Sequence, residues 1–321
     1  MPSSRLFLGL VPWYGLLIVL GAGLAIWLAD REAARLSLPK DTIIDLALWA
    51  LPLGILGARL YYVLFTWEEY RGNPLSVLYL WEGGLAIYGG IIAGIAVVFV
   101  FAKKRRISPW LLLDILAPGV ALAQAIGRWG NFFNQEAYGI PFPERLSFLA
   151  FFPLAVTIQE PSGPVLHIAT FFLESFWNVC VFLFLLWGRR KFFRKTGDTF
   201  LFYLLLYGAG RLWIENLRMD SLYLSSSVRI SQLVSLLLAS VSSLVLLRPY
   251  YRSFRQGKTW GRAGLLLGAL ILPGLWVLAF CLRLPVFGFL QGSILRETAF
   301  LLAYAFLLLL LTLAGYSRKR A

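Results

Sequence analysis

The sequence predicts an all-α, polytopic integral membrane protein. It reads as a bundle of about nine transmembrane helices with the N-terminus outside and the C-terminus cytoplasmic. Three observations carry this reading. Hydrophobic residues make up 59% of the 321 residues and charged residues only 14%, which excludes an ordinary soluble globule. Apolar windows of about 20 residues, the length a bilayer requires, recur along the whole chain. Basic residues fall into five clusters on alternate connections, and loops rich in Lys and Arg stay cytoplasmic.

The elements follow in order. The first window, roughly 9–28, is too long for a signal peptide and is led by the single Arg5. Arg31, Arg35 and Lys40 then mark a cytoplasmic turn before a second span over 43–66. Trp67, Tyr70, Tyr79 and Trp81 give the next loop the aromatic character of a membrane surface. A third span, 84–102, runs into Lys103, Lys104, Arg105 and Arg106, and a fourth covers 109–126. The longest connection, about 127–165, lies outside, and its Pro- and Phe-rich part reads as an interfacial loop or short helix. Spans at 166–187 and 199–216 flank the basic run Arg189–Lys195, and a seventh span covers 230–247. Beyond it lie a basic loop (Arg248, Arg252, Arg255, Lys258, Arg262) and two windows poor in polar residues, 263–281 and 297–315. Residues 1–247 are therefore expected to form the core. Residues 248–321 add a basic cytoplasmic loop and two peripheral helices.

The net charge of +14 invites a nucleic-acid partner, but the placement of the charge at loop positions rejects one. All lysines fall in the cytoplasmic clusters, and the basic residues elsewhere are arginines. Guanidinium suits bidentate capture of phosphate and does not lose its proton. His167 is the only histidine, so neither a His-based metal cluster nor a Ser-His-Asp triad assembles easily. It reads as a boundary residue at the start of the fifth span. Cys180 and Cys281 lie inside spans and are given no role. No motif calls for a metal or cofactor.

Three constellations could carry chemistry. The first is Gly127–Gly139, with Arg128, Asn131, Asn134, Gln135 and Glu136 set among Gly127, Gly130 and Gly139. Its glycines are expected to turn the backbone and bring N–H groups near a ligand. In the second, Tyr207, Arg211, Glu215 and Arg218 follow helical spacings and share one face. Two arginines against one glutamate leave positive charge that a phosphate would neutralise. The plain alternative is an ion pair with a snorkelling end residue. The third comprises Tyr14, Arg59 and Tyr88 in the early spans. An arginine within a span faces the protein interior or water, whereas Gly90 and Gly94 have the spacing of a helix-packing pair. Glu174 and Asn178, one turn apart, are candidates to line a cavity.

Taken together, the chain resembles the bacterial phosphatidylglycerol–prolipoprotein diacylglyceryl transferase family over roughly residues 11–247. The resemblance rests on GRWGNFFNQEAYG (127–139), WYGL (13–16), GARL (57–60), GGLAIYGG (83–90) and YGAGRLWIENLRMDSLYL (207–224), in the family's order, with ESFWN (174–178) close to a further segment. It implies transfer of the diacylglyceryl group of phosphatidylglycerol to the lipobox cysteine of a prolipoprotein, forming a thioether and releasing glycerol phosphate. It places the enzyme in the bacterial cytoplasmic membrane, multi-pass, with the site in the outer leaflet, and asks for no cofactor or metal.

By the same resemblance Arg128 and Arg211 serve the headgroup phosphate and leaving group, and Glu215 orients Arg211. Tyr14, Arg59, Asn131, Asn134, Glu136, Gly139, Tyr207 and Arg218 would bind phosphatidylglycerol. Tyr88 stands where many members carry His. An unperturbed phenol is a poor base at neutral pH, so the acceptor of the thiol proton stays open between Tyr88, Glu136 and the leaving phosphate. A transporter or flippase for an anionic lipid would also need intramembrane arginine, but it predicts an internal repeat that the sequence lacks.

Overall fold

The computed structural model describes residues 6–7, 11–193, 195–221, 229–255 and 294–317. The chain is mainly helical. Helices α1 (Trp13–Arg35), α2 (Thr42–Phe65), the short α3 (Trp67–Tyr70), α4 (Ile87–Arg105) and α5 (Pro109–Asn134) come first. A short strand pair, β1 (Leu6–Phe7) with β2 (Val11–Pro12), precedes them. An antiparallel hairpin, β3 (Ala155–Glu160) and β4 (Gly163–Ile168), follows. Then come α6 (Thr170–Lys191), α7 (Asp198–Leu217), α8 (Ile230–Arg255) and α9 (Ile294–Ser317).

Among the described residues, seven helices are long and apolar enough to cross a membrane. Eight of the nine expected spans coincide with helices. The span at 263–281 lies outside the described residues. Helix α7, which matches 199–216, is not one of the seven; Arg211, Glu215 and Asn216 make its second half too polar. Val19, Leu48, Leu64, Ile92 and Phe306 point outward uncovered, the inverse of a soluble surface and the pattern of helices solvated by lipid.

The chain divides into two compact units, residues 25–119 and residues 1–24 with 120–321. In the first, α2 and α4 pack through small residues. The carbonyl carbon of Gly57 lies 2.9 Å from where a Cβ on Gly89 would stand, and Ala93 closes on Gly57 from the other side. Gly90 approaches Gly54, whereas Gly94, expected to pair with Gly90 at such a contact, faces open space.

In the second unit, the start of α1 lies along the later half of α5. Trp13 stacks on Phe133 with ring centroids 4.6 Å apart, and a Cβ on Gly130 would lie 2.5 Å from Tyr14 Cδ2. Helix α7 packs against α6 and α8, and α9 packs on α7 and α8.

The connection after α5 departs from expectation. Helix α5 continues to Asn134, so most of the run expected to be a loop is helical. Gly127 and Gly130 do not turn the chain. Gly130 leaves room for Tyr14, and the left-handed backbone falls instead at Gln135 and Ala137, with φ of 58° and 52°. The Pro- and Phe-rich segment contributes a 3-10 turn at Glu144–Leu149, but the hairpin behind it was not expected. Its alternation of buried and exposed residues is that of a half-buried strand pair.

Candidate active site

Three helix segments bring the site together, all in the unit formed by residues 1–24 and 120–321. Trp129 fixes the rotation of α5. Its Nε1 donates to Ser175 Oγ at 3.1 Å, and its ring lies among Phe132, Phe152, Phe171 and Phe172. Ser175 in turn donates to the Ala125 carbonyl at 2.8 Å. With Trp129 and Ser175 in contact, their neighbours Arg128 and Glu174 meet as well. Arg128 Nε lies 2.5 Å from Glu174 Oε2. The N–H is not aligned on that oxygen, so Oε2 receives charge contact without a hydrogen bond.

Glu174 is the hub. Its side chain is 3% exposed, and its Oε1 accepts from Arg211 Nη1 at 2.5 Å and from Arg218 Nη1 at 3.3 Å. One carboxylate therefore touches three arginines. Arg211 also pairs through Nη2 with Glu215 Oε2, one turn along α7. Glu215 is held from α8, where Ser231 Oγ donates to its Oε1 at 2.9 Å. Arg229 Nη1 donates to the Glu215 carbonyl at 3.1 Å and to Asn216 Oδ1 at 2.9 Å.

Arg218 lies just past the end of α7, in extended backbone, so it does not share the helical face expected for it. Its side chain nevertheless reaches Glu174. Its Nε and Nη2 grip Asp220 at 2.9 and 2.6 Å. Burial alone would raise the Asp220 carboxyl, but the Arg218 hydrogen bonds and charge outweigh burial and hold it below the ordinary aspartate range.

This arrangement corrects the expected charge balance. Arg128, Arg211 and Arg218 face Glu174, Glu215 and Asp220, so each of these three arginines is matched by a carboxylate. What it offers an anion is a set of fixed donors. Each guanidinium has five N–H groups, and Arg128 is the least buried of the three, its side chain 24% exposed against 13% for Arg211 and 12% for Arg218.

The other expected residues fall as follows. Asn131 sits three residues beyond Arg128, on the same face of α5. Asn134, six residues beyond Arg128, lies about 120° round the helix from it, so the helix does not bring it to the Arg128 face. Glu136 is exposed on the turn after α5. Tyr207 stacks on Tyr203 at 5.9 Å on α7, and Tyr14 packs on Gly130.

Gly139 is buried in the chain's own backbone. It donates to the Ile168 carbonyl at 2.8 Å and bridges to Arg218, and a Cβ there would stand 3.0 Å from the Leu217 carbonyl oxygen. His167 is in β4, not in a helix, and is fully buried. Its Nδ1 contacts the Gly139 carbonyl at 2.8 Å and its Nε2 contacts Glu160 at 3.0 Å.

Arg59 and Tyr88 belong to the other unit. Arg59, expected to bind substrate, is 3% exposed and has its guanidinium committed to main-chain carbonyls. It donates to Val77 at 2.8 Å, Ser76 at 2.7 Å and Gly83 at 2.6 Å, with longer contacts to Gly84 and Tyr79. Gly83 and Gly84 both have positive φ. A side chain on Gly84 would run into Arg59, so the glycine pair here does serve a turn. Tyr88 is half-buried in the first turn of α4, its ring 6.5 Å from that of Tyr61. Among the described residues no group of His, Cys, Asp and Glu has the makings of a metal site.

A family model described as prolipoprotein diacylglyceryl transferase matches residues 6–248. The chain is 48% identical over 237 residues to the phosphatidylglycerol–prolipoprotein diacylglyceryl transferase of Enterococcus faecalis, covering 74% of this chain and 85% of the relative. It is 44% identical over 267 residues to the protein of the same name from Geobacillus kaustophilus, covering 82% and 96%. Similarity at 42% identity over 260 residues extends to the protein of that name from Thermosynechococcus vestitus, covering 80% and 94%.

Proposed function

The chain belongs to the prolipoprotein diacylglyceryl transferase family, and from that premise we propose that it transfers the diacylglyceryl group of phosphatidylglycerol to the lipobox cysteine of a prolipoprotein. The observation that carries this is the gathering of Arg128, Arg211 and Arg218 on the Glu174 carboxylate. The protein is a multi-pass membrane transferase. In our reading it lies in the bacterial cytoplasmic membrane, with the basic ends of α4 and α6 on the cytoplasmic side and the arginine cluster toward the outer leaflet. Neither nucleic acid nor a metal enters this reading.

The nucleophile is the substrate's own thiol, so the enzyme supplies no catalytic cysteine. The sulfur attacks the glyceryl carbon that bears the phosphate ester. A C–S bond forms as the C–O bond breaks, and the electron pair passes to the departing glycerol phosphate, which takes up the thiol proton. Negative charge grows on the leaving oxygen, and fixed donors aimed at developing charge commonly supply the largest catalytic contribution. Arg128 and Arg211 are those donors. Glu174 and Glu215 hold them in place before substrate arrives, which removes reorganisation from the barrier. Asn131, on the Arg128 face, is assigned to the glycerol hydroxyls.

The test is to incubate purified protein with phosphatidylglycerol and a lipobox peptide and to look by mass spectrometry for a diacylglyceryl adduct on the cysteine. Wild type should form it, and folded Arg128→Ala should form at least about a hundredfold less. A fully active Arg128→Ala would overturn the assignment. No adduct from folded wild type would overturn the function.

A further inference from the structure

Helix α9 lies beyond the family match, which ends at residue 248, yet it is clamped to the core at polar points along its length. Asn216 Nδ2 donates to Thr298 Oγ1 at 3.0 Å. Ser243 and Thr312 hydroxyls meet at 2.7 Å within the bundle, and Tyr316 donates to Asp198 at the start of α7. These clamps seat α9 on α7 and α8. Against α6 it leaves a cavity of about 320 Å³.

Trp177, Val181 and Phe184 of α6, Leu206 of α7, and Leu309 and Leu313 of α9 line this cavity. Exposed Cys180 also lines it, so the space reaches the bundle surface. Trp177 is pinned at one end, donating to the Leu206 carbonyl at 2.9 Å and lying against Gly210. At the other end Phe202 and Phe192 pack on Tyr316, with ring centroids 5.3 and 4.9 Å away. An apolar space that opens on a lipid-facing surface takes hydrocarbon rather than water. Its volume is that of a small ligand site.

The cavity shares its two main helices with the arginine cluster. Trp177 stands three residues beyond Glu174 on α6 and Phe184 ten beyond, or about 5 and 15 Å along the axis. Leu206 stands five residues before Arg211 on α7. We infer that the cavity receives one acyl chain of the phospholipid substrate whose phosphate meets the arginines, and that α9 forms the wall that sets chain-length preference. This rests on the transferase reading above.

The experiment compares wild type, Leu309→Trp, Leu309→Ala and Leu310→Trp, where Leu310 is exposed on the same helix. Each is assayed with the lipobox peptide and with either dioctanoyl or dioleoyl phosphatidylglycerol, and thermal unfolding is recorded in parallel. Filling the cavity with Leu309→Trp should lower kcat/KM for the dioleoyl lipid about tenfold or more relative to the dioctanoyl lipid. Leu309→Ala should shift the ratio the other way, and Leu310→Trp should leave it unchanged. An equal fall for both lipids, or no change in the ratio with either Leu309 variant, would overturn the proposal and leave a cavity filled by bulk bilayer lipid. If wild type makes no adduct with either lipid, the transferase reading itself fails and takes this inference with it.

Discussion

Glu174 and Arg211 join α6 to α7 through Oε1 and Nη1 at 2.5 Å, and the same oxygen takes Arg218. A single buried carboxylate thus fixes the relative height of two helices and holds together arginines that would otherwise repel one another.

Glu174→Gln removes the charge and keeps the shape. Losing one partner of a buried ion pair costs about 3–5 kcal/mol, here with three arginines left facing each other. Thermal unfolding should shift down clearly, and adduct formation should fall at least about a hundredfold. Glu174→Asp, which keeps the charge, should regain part of the stability. Wild-type unfolding and activity in Glu174→Gln would show that the hub is dispensable.

Arg59→Lys tests whether that arginine serves the loop or the lipid. Lysine brings three donors on one nitrogen and cannot span the carbonyls of Ser76, Val77 and Gly83 together. The expected result is faster proteolysis within residues 74–84. A raised KM for phosphatidylglycerol with unchanged proteolysis would return Arg59 to substrate binding.

Gly89→Ala and Gly94→Ala form a matched pair on α4. The first drives a methyl into the Gly57 backbone and should destabilise by about 1–3 kcal/mol. The second meets open space and should be neutral or gain up to about 1 kcal/mol from helix propensity. Thermal unfolding in one detergent reads both, and equal effects would contradict the α2–α4 contact.

Asp220 gives an acid-side signature. Its carboxyl is lowered in the folded protein, so the unfolded state binds the proton more readily. The stability it contributes is full above the unfolded value, about 3.9, and is lost as pH falls through the lower folded value. Asp220→Asn should destabilise at neutral pH and flatten stability against pH below about 4. An unchanged acid limb would rule out the Arg218 pairing as its source.

Long apolar helices were legible because each spells itself out locally in hydropathy. So was the Tyr207–Arg211–Glu215 face, since helical spacing alone aligns it. The run at 127–134 was misread because glycine among polar residues looks like a loop, whereas Gly130 is small to admit Tyr14, a partner more than a hundred residues away. The hub role of Glu174 was hidden for the same reason: its arginines sit on other segments, and no local pattern reports a long-range ion pair. The surplus positive charge expected at Arg211 and Arg218 vanished once Glu174 and Asp220 entered the count. The hairpin was obscured by its prolines and by a period-2 pattern only six residues long on each strand.

That hairpin has a mechanical consequence for the site. Strand β4 passes into α6 through Ala169 alone, so the ladder pairing Ala155 with Ile168 indexes the helix like teeth on a gear. A slip of one residue would swing Glu174 about 100° around the α6 axis and away from its arginines. The far end, Pro161 and Ser162, is exposed and carries no such indexing. Residues added at that tip should leave Glu174 where it is, whereas a single residue inserted between Ile168 and Glu174 would dismantle the cluster.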